Sequence, residues 1–394
     1  MSDDLAALWP LDRGIVFLNH GSFGACPAEV LRHQGVLRAE MEAEPVRFLS
    51  RELDDRLDAA RAALAAFVGA DAADLAFVTN ATGGVNAVLR SLVFSPGDEL
   101  LTTDHAYNAC RNTLDFVAAR SGARVVTATV PFPVGSPDEI VEAVLAGVTP
   151  RTNLALLDHV TSPTALILPI ERLSAELSRR GVDVLADGAH APGMVPLNLS
   201  ALGVAYYSGN CHKWVCAPKG SAFLWVRRDR QAAVHPLTIS HGASAVRPDR
   251  SRFRLEFDWT GTSDPTAWLT VPRAIDYVGS LLPGGWPAVM ARNRALALQA
   301  RDLLCAAVGA APPCPDAMLG SLASVPLPDG SAPVAWRRPD PLQQQLHDGW
   351  GIEVPVMSWP AAPRRLIRVS AQLYNCRAHY ERLAEALRKE LARP

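Results

Sequence analysis

The feature that most constrains this 394-residue chain is an alternation of short apolar runs and amphipathic stretches between residues 75 and 226. The apolar runs are typical of buried strands, and we predict strands over Leu75–Thr79, Glu99–Thr103, Arg124–Thr129, Asn153–Asp158, Val182–Ala186, Ala205–Ser208 and Ala222–Val226. The stretches between several of them predict helices over Asn108–Arg120, Pro137–Leu145 and Ile170–Arg180. The alternation therefore predicts an α/β fold: a mainly parallel, seven-stranded sheet with helices on both faces. Because little room remains between Ser208 and Ala222 for a crossover, we expect the last strand to break the parallel rule.

From about residue 275 the pattern changes to that of a smaller α+β unit. We predict a long helix from Ala288 to Val308, and after it the elements Ser321–Pro326 (strand), Pro341–His347 (helix), Ile352–Val356 paired with Leu366–Ser370 (strands), and a closing helix from Arg377. The length of the chain also favours two domains. We therefore predict an N-terminal segment 1–30 that packs at the active site or the small domain, a large domain 31–275, and a small domain 276–394.

Composition excludes several classes of function. The formal charge is −2 without a long basic or acidic run, which argues against binding nucleic acid or an anionic membrane surface. We find no membrane-spanning apolar run and no export signal at the N-terminus. The seven cysteines are scattered and form no CxxC pair, which argues against a disulfide framework or a structural metal site. We expect a soluble cytoplasmic protein without a metal.

Three segments that follow predicted strands carry candidate chemistry, because ligands of open α/β sheets lie at the carboxyl ends of strands. The turn Asn80–Asn86 opens a helix whose N–H groups and Thr82 hydroxyl suit a phosphate, although an ordinary N-cap has the same pattern. Asp187 suits a buried cation, but carboxylates also cap turns. Lys213, between His212 and Trp214, is either a surface lysine or a desolvated amine able to attack a carbonyl.

The order of these three segments favours one cofactor. Pyridoxal-5'-phosphate (PLP) presents a phosphate, a pyridine nitrogen and an aldehyde, and a protein must address each with a different group. A phosphate-type turn, a strand-end Asp187 and a loop Lys213 supply those groups in sequence.

The chain also resembles a known family. It is similar to the class V aminotransferases of fold-type I PLP enzymes, and most of all to their isopenicillin N epimerase-like branch. The segments that carry the resemblance are Asn19–Gly24, Thr103–Tyr107, Asp187–Gly193, Gly209–Trp214, Glu256–Asp264 and Arg368–Asn375.

The resemblance implies a role for each matching residue around the cofactor. Lys213 is expected to hold PLP as a Schiff base and to shuttle the Cα proton, while Asp187 keeps the ring nitrogen protonated. His190 is expected near the phenolic oxygen, with Ser162 as a further partner of that oxygen. The phosphate ligands implied are Ala81, Thr82, Asn210 and His212. His105 is expected to stack on the ring; Tyr107 is the alternative for that place, or an acid/base near the substrate.

Substrate contacts and assembly follow from the same resemblance. Arg368 is expected to bind the α-carboxylate of an amino-acid substrate, because its planar fork suits bidentate recognition. Asn19 and His20 are expected on the substrate side, and His241 stands where we expect an aromatic residue facing the substrate side chain. Thr262 is expected to reach the phosphate of a neighbouring subunit, which implies a homodimer with its active site at the interface.

The reaction remains open among several alternatives. An epimerase or racemase needs proton donors on both faces of the substrate, with Tyr107 or a histidine as the candidate opposite Lys213. A C–S β-lyase needs only Lys213 as base, and an aminotransferase or a decarboxylating or oxidative variant is a further alternative. A cysteine desulfurase is disfavoured, because no cysteine lies between Cys314 and Arg368. A non-catalytic binding protein would be expected to lose Lys213 or Asp187, and both are present.

Overall fold

The computed structural model describes residues 5–330 and 338–392. The first four residues, which belong to the N-terminus where we found no export signal, lie outside the described ranges.

A seven-stranded sheet forms the centre of the fold. After a short strand β1 (Val16–Phe17), the chain forms β2 (Leu75–Val78), β3 (Glu99–Thr103), β4 (Arg124–Ala128), β5 (Thr152–Asp158), β6 (Asp183–Gly188), β7 (Tyr206–Asn210) and β8 (Ala222–Val226). Their order in the sheet is β2-β8-β7-β6-β5-β3-β4. All pairs are parallel except those of β8, which runs antiparallel to both β2 and β7. The predicted α/β sheet is confirmed, including the exception at the last strand.

Both faces of the sheet are covered by helices. The α-helices of this region are α1 (Ala28–Ala43), α2 (Leu53–Val68), α3 (Ala81–Ser91), α4 (Asn108–Ser121), α5 (Pro137–Ala146), α6 (Ile170–Ser178), α7 (Arg252–Asp258) and α8 (Val271–Ser280), with single turns at His20–Phe23 and Thr266–Leu269. A short π-helix, Arg47–Glu52, precedes α2. In β5, Leu154 and Leu156 join one buried apolar cluster, while Ala155 and Leu157 join the other. Since successive strand residues point to opposite faces, this alternation buries the sheet on both sides.

The C-terminal part contains a three-stranded antiparallel sheet packed against a long helix. Its elements are α9 (Gly285–Val308), β9 (Leu322–Leu327), α10 (Pro341–Trp350), β10 (Ile352–Glu353), β11 (Val356–Ser358), β12 (Arg365–Ser370) and α11 (Arg377–Leu391). The strand order is β11-β12-β9. The single strand predicted over Ile352–Val356 is wrong, because the structure has two short strands in this region, β10 and β11. Of these two, only β11 pairs with β12. β10 instead pairs in parallel with β1, which joins the N-terminal segment to the C-terminal part.

The parallel register aligns the residues at the carboxyl ends of the central strands. Asp158 of β5 pairs with Asp187 of β6, and Asp187 pairs with Ser208 of β7. Gly188 follows Asp187 and lies against the ring of Tyr207, because a Cβ added at Gly188 would lie 2.1 Å from that ring. Glycine at this position therefore leaves room for the ring of Tyr207 beside the strand end that carries Asp187.

This close approach predicts that Gly188→Ala lowers the free energy of unfolding by about 1–3 kcal/mol, because the added methyl overpacks a buried contact. The matched control is Gly35→Ala in α1, where a Cβ meets nothing within 4 Å. That control is expected to stabilise by about 0.5–1 kcal/mol, as alanine costs less backbone entropy in a helix. Urea unfolding monitored by circular dichroism measures both. Equal midpoints for Gly188→Ala and wild type would contradict the packing described.

Candidate active site

A cavity of about 380 Å³ opens at the carboxyl ends of the central strands. Its volume is within the range of small-molecule and cofactor sites. The predicted site residues that line it are Ala81, Thr82, Tyr107, Ser162, Asp187, His190, Asn210, His212 and Lys213. The structure thus brings predicted residues from five separate segments of the sequence into one cavity.

Lys213 follows β7 and carries the amine of this cavity. Its Nζ lies 3.0 Å from Nε2 of His190. Burial lowers the pKa of Lys213 to about 7, and the positive charge of Arg368 lowers it further than burial alone would. The unprotonated amine, which is the form that attacks a carbonyl, is therefore more accessible at neutral pH than for a solvated lysine.

His190 is held as a neutral imidazole next to this amine. Burial lowers the pKa of His190 well below its usual range, and the charge of Lys213 adds to the effect. The indole N–H of Trp214 donates to Nδ1 of His190 at 3.4 Å. In the neutral ring, Nε2 then carries the proton and donates to the unprotonated amine of Lys213. His190 thus favours the reactive form of the lysine.

Asp187 is oriented by donors on both oxygens. Oδ1 accepts the backbone N–H of Ala189 at 3.0 Å, and Oδ2 accepts the thiol of Cys110 at 3.0 Å. Burial and the charge of Asp187 raise the pKa of Cys110 well above its usual range, so the thiol remains a donor. Nothing in the sequence marked Cys110, since it lies inside an amphipathic helix. The carboxylate is suited to pairing with a protonated ring nitrogen.

Asp158 also lines the cavity, and the sequence analysis missed it. It stands at the end of β5, in register with Asp187. Burial raises the pKa of Asp158 well above its usual range, and the charge of Asp187 raises it further. Two carboxyl groups thus lie side by side at the ends of neighbouring strands, an arrangement that disfavours a charge on both at once. The rule that identified Asp187, a polar residue directly after a buried strand, also applies to Asp158.

The first turn of α3 forms the end of the cavity suited to a phosphate. Asn80 caps this helix by accepting the N–H of Gly83 at 2.8 Å, and Asn210 accepts the N–H of Ala81 at 2.8 Å. Thr82 lies in the same turn, where backbone N–H groups have no intrahelical acceptor. His212 is anchored by its Nδ1, which donates to the carbonyl of Ser221 at 3.0 Å.

Arg368 lies behind this cavity on β12. Its Nη1 donates to the carbonyl and hydroxyl of Ser162, at 2.7 and 3.0 Å, and its Nη2 donates to the hydroxyl of Ser22 at 3.0 Å. Among the described residues, its buried Nε has no partner. Burial lowers the pKa of Arg368 to about 10, so the group keeps its charge at neutral pH. A partnerless buried donor on a charged group fits an incoming carboxylate.

Some predicted residues lie outside the cavity lining. His105 is fully buried, with Nδ1 2.7 Å from the Thr164 hydroxyl and Nε2 3.1 Å from the Val130 carbonyl. Tyr107, the alternative for the stacking position, does line the cavity. Burial raises the pKa of Tyr107, and Cys110 and Asp187 raise it further, so its phenol stays protonated.

Asn19, His20, His241 and Thr262 also lie outside the lining of this cavity. Asn19 donates to the Glu353 carboxylate at 2.9 Å, and His20 is fully buried against other protein groups. His241 and Thr262 are exposed and lie outside the cavity lining of their own chain. Two residues that we had not predicted, Ser22 and Phe23, line the cavity from the N-terminal segment.

Within residues 5–330 and 338–392, no cluster of three or more His, Cys, Asp or Glu side chains could hold a metal ion. In the same ranges no helix has the length and apolarity needed to cross a membrane. A second cavity, of about 580 Å³, is lined mainly by apolar side chains such as Phe67, Met194, Trp286 and Met290, and offers no comparable set of reactive groups.

Taken together, the donor set of the 380 Å³ cavity fits PLP. A helix N-terminus faces one end, a fixed carboxylate lies beside the cavity, and an amine with a lowered pKa faces the same space. These are the three groups that the phosphate, the pyridine nitrogen and the aldehyde require.

Comparison with known proteins agrees with this geometry. The aminotransferase class-V family matches residues 25–383. The chain is 40% identical to an isopenicillin N epimerase of Amycolatopsis lactamdurans, over 97% of this chain and 96% of that protein. It is 32% identical to a putative L-cysteine desulfhydrase of Oryza sativa subsp. japonica, over 97% of this chain and 85% of that protein. Its fold is similar to that of a C-DES mutant with glycine covalently linked to the PLP cofactor, with a TM-score of 0.79, 21% identity, and coverage of 97% and 98% of the two chains. The chain belongs to the aminotransferase class-V family.

Proposed function

We propose that this protein is a PLP-dependent enzyme that epimerises or racemises an amino-acid substrate at Cα. The observation that carries the proposal is the cavity that Lys213 and Asp187 share, in which the pKa of the lysine is about 7. The 40% identity to an isopenicillin N epimerase supports this reaction over the others. PLP, when bound, supplies an electron sink for the charge that develops at Cα.

The residues of the chain divide the remaining work. Lys213 would hold the cofactor aldehyde and then move the Cα proton, while Asp187 would keep the ring nitrogen protonated. Arg368 would bind the substrate carboxylate through its partnerless Nε. Tyr107 is our candidate for the second acid, since its phenol lines the cavity and stays protonated. The phenolic oxygen of the cofactor would contact His190 and Ser162. Its phosphate would be bound by Ala81, Thr82, Asn210 and His212.

We further propose a homodimer in the cytoplasm, with residues 31–275 as the PLP-binding domain and 276–394 as the small domain. Thr262 and His241 are exposed and outside the cavity of their own chain, as expected for residues that act on a neighbouring subunit. Phe23 lines the cavity although 72% of its surface is exposed, which is consistent with an incomplete site in one chain.

A C–S β-lyase is the second candidate function. The 32% identity to a putative L-cysteine desulfhydrase supports it, and this reaction needs only Lys213 as the base. An aminotransferase is a third candidate within the same chemistry. A binding protein without activity is disfavoured, because Lys213 and Asp187 line the same cavity.

Incubation of the PLP-loaded protein with amino acids and cysteine S-conjugates in D₂O distinguishes these functions. We expect deuterium at Cα and loss of optical purity without breakdown of the substrate. Formation of pyruvate with a released thiol would identify a lyase instead of an epimerase, and a keto acid with the pyridoxamine form would indicate an aminotransferase.

A Tyr107→Phe variant is expected to retain proton abstraction by Lys213 but to lose most inversion at Cα, because the second proton donor is absent.

The pKa of Lys213 predicts the pH dependence of covalent PLP uptake by the PLP-free protein. Only the unprotonated amine attacks the aldehyde, so the uptake rate is expected to rise with pH through a midpoint near 7 rather than near 10.5. Uptake is followed by the absorbance band at about 410–430 nm that lysine-bound PLP gives. Arg368→Ala is expected to move the midpoint upwards, because a nearby positive charge is removed. Lys213→Ala is expected to abolish the band; a persistent band would contradict the assignment.

The position of Asp187 predicts that Asp187→Asn lowers turnover by about 100-fold or more, an effect comparable to losing a preorganised catalytic charge. Retention of PLP is expected to change much less, because the lysine bond and the phosphate contacts remain. Asp183→Asn, at the opposite end of β6, is the matched control and should keep its turnover. Wild-type turnover in Asp187→Asn would disprove the pairing with the ring nitrogen.

A further inference from the structure

His20 contacts the main chain of the catalytic lysine rather than the cavity. It is fully buried in the N-terminal single turn His20–Phe23. Its Nε2 lies 2.9 Å from the carbonyl oxygen of Lys213, and its Nδ1 lies 2.8 Å from the hydroxyl of Tyr374. The three residues come from the beginning, the middle and the end of the chain.

The partners fix which nitrogen of His20 carries the proton. A carbonyl oxygen only accepts, so Nε2 donates to Lys213 and Nδ1 is the acceptor for Tyr374. Burial lowers the pKa of His20 to about 3 and raises the pKa of Tyr374 well above its usual range. Both groups therefore stay neutral around neutral pH, and the chain of hydrogen bonds from Tyr374 through His20 to Lys213 persists.

Backbone packing reinforces this contact. Gly24 has a φ of +71°, and a Cβ added there would lie 1.9 Å from the carbonyl oxygen of His212. The amine of Lys219 donates to the carbonyl of Gly24 at 3.0 Å. The ring of His20 also packs on Trp214, with 4.8 Å between ring centroids. The segment His20–Gly24 therefore holds the lysine loop by side-chain and main-chain contacts together.

The same segment is tied to the strand that carries Arg368. The backbone N–H of Gly21 donates to the hydroxyl of Ser370, two residues beyond Arg368, at 2.9 Å. Tyr374 follows that strand and bonds His20. The hydrogen bonds of His20 thus connect the backbone of Lys213 to the segment that presents the guanidinium.

We propose that His20 is a positioning residue, which fixes the main chain of Lys213 relative to Arg368 so that only the lysine side chain moves during the reaction. This inference rests on the proposed function, because it assigns the lysine two tasks, holding the cofactor and moving the Cα proton. A side chain that performs two tasks needs a main chain that stays in place, because a small displacement of the reacting groups lowers the rate strongly.

Two substitutions of His20 separate this role from simple packing. In His20→Gln the amide nitrogen can take the place of Nε2 and donate to the Lys213 carbonyl. In His20→Asn the shorter side chain reaches only the position of Nδ1, where its amide oxygen accepts from Tyr374, and the donor to Lys213 is lost. We expect His20→Asn to lower kcat of the PLP-loaded enzyme by about 10- to 100-fold with KM changed little, and His20→Gln to recover most of the loss.

Hydrogen exchange of the backbone amides of residues 211–216 is the readout that does not depend on activity. In the full-length protein, loaded with PLP or free of it, exchange is expected to be faster in His20→Asn than in wild type, and close to wild type in His20→Gln. If His20→Asn does not fold, Tyr374→Phe, which removes one oxygen atom, is expected to give a smaller change in the same direction.

Wild-type kcat and exchange in His20→Asn would overturn the proposal, as would equal losses in the Asn and Gln variants. If Tyr374→Phe has to be used in place of His20→Asn, wild-type exchange and wild-type kcat in that variant would overturn the proposal. Faster exchange in a protein without any PLP-dependent activity would instead support the positioning role while contradicting the proposed function.

Discussion

The desolvation of one amine is the constraint on which the rest of the site depends. The chain has three lysines, Lys213, Lys219 and Lys389. Lys219 bonds a backbone carbonyl, and Lys389 pairs with a glutamate on the exposed face of the closing helix. Lys213 lies in the cavity, and burial lowers its pKa to about 7. A buried amine favours its unprotonated form when its neighbours are neutral or positively charged, and the neutral imidazole of His190 and the cationic Arg368 are such neighbours.

The sheet explains how such a site forms from distant parts of the chain. Parallel strands place their carboxyl ends at one edge, so Asp158, Asp187 and the loop after β7 meet there. The antiparallel β8 runs back along β7, so that Ser221, directly before β8, lies next to the loop after β7. The carbonyl of Ser221 accepts a hydrogen bond from His212 and holds that side chain in place. The C-terminal part then contributes Arg368, and the N-terminal segment contributes Ser22 and Phe23.

Sequence reasoning predicted the parts of this arrangement that depend on local pattern. Apolar runs gave each central strand to within one or two residues, and the strand-end rule selected Asp187 and Lys213. It did not find Cys110, because its contact with Asp187 joins residues 77 positions apart and nothing local marks it. It could not separate His105 from Tyr107, since the backbone of the loop between β3 and α4 decides which side chain faces the cavity. For His20 the motif was recognised, but the contact of its ring with the backbone of Lys213 was not predicted, because the two residues are 193 positions apart.

The most direct test of the central claim is the site of covalent attachment. Borohydride reduction of the PLP-loaded protein, followed by proteolysis and mass spectrometry, identifies the lysine that carries the cofactor. We expect the label on Lys213 alone, with Lys219 and Lys389 unmodified. A label on either of those two residues, or a reduced protein without any label, would contradict it.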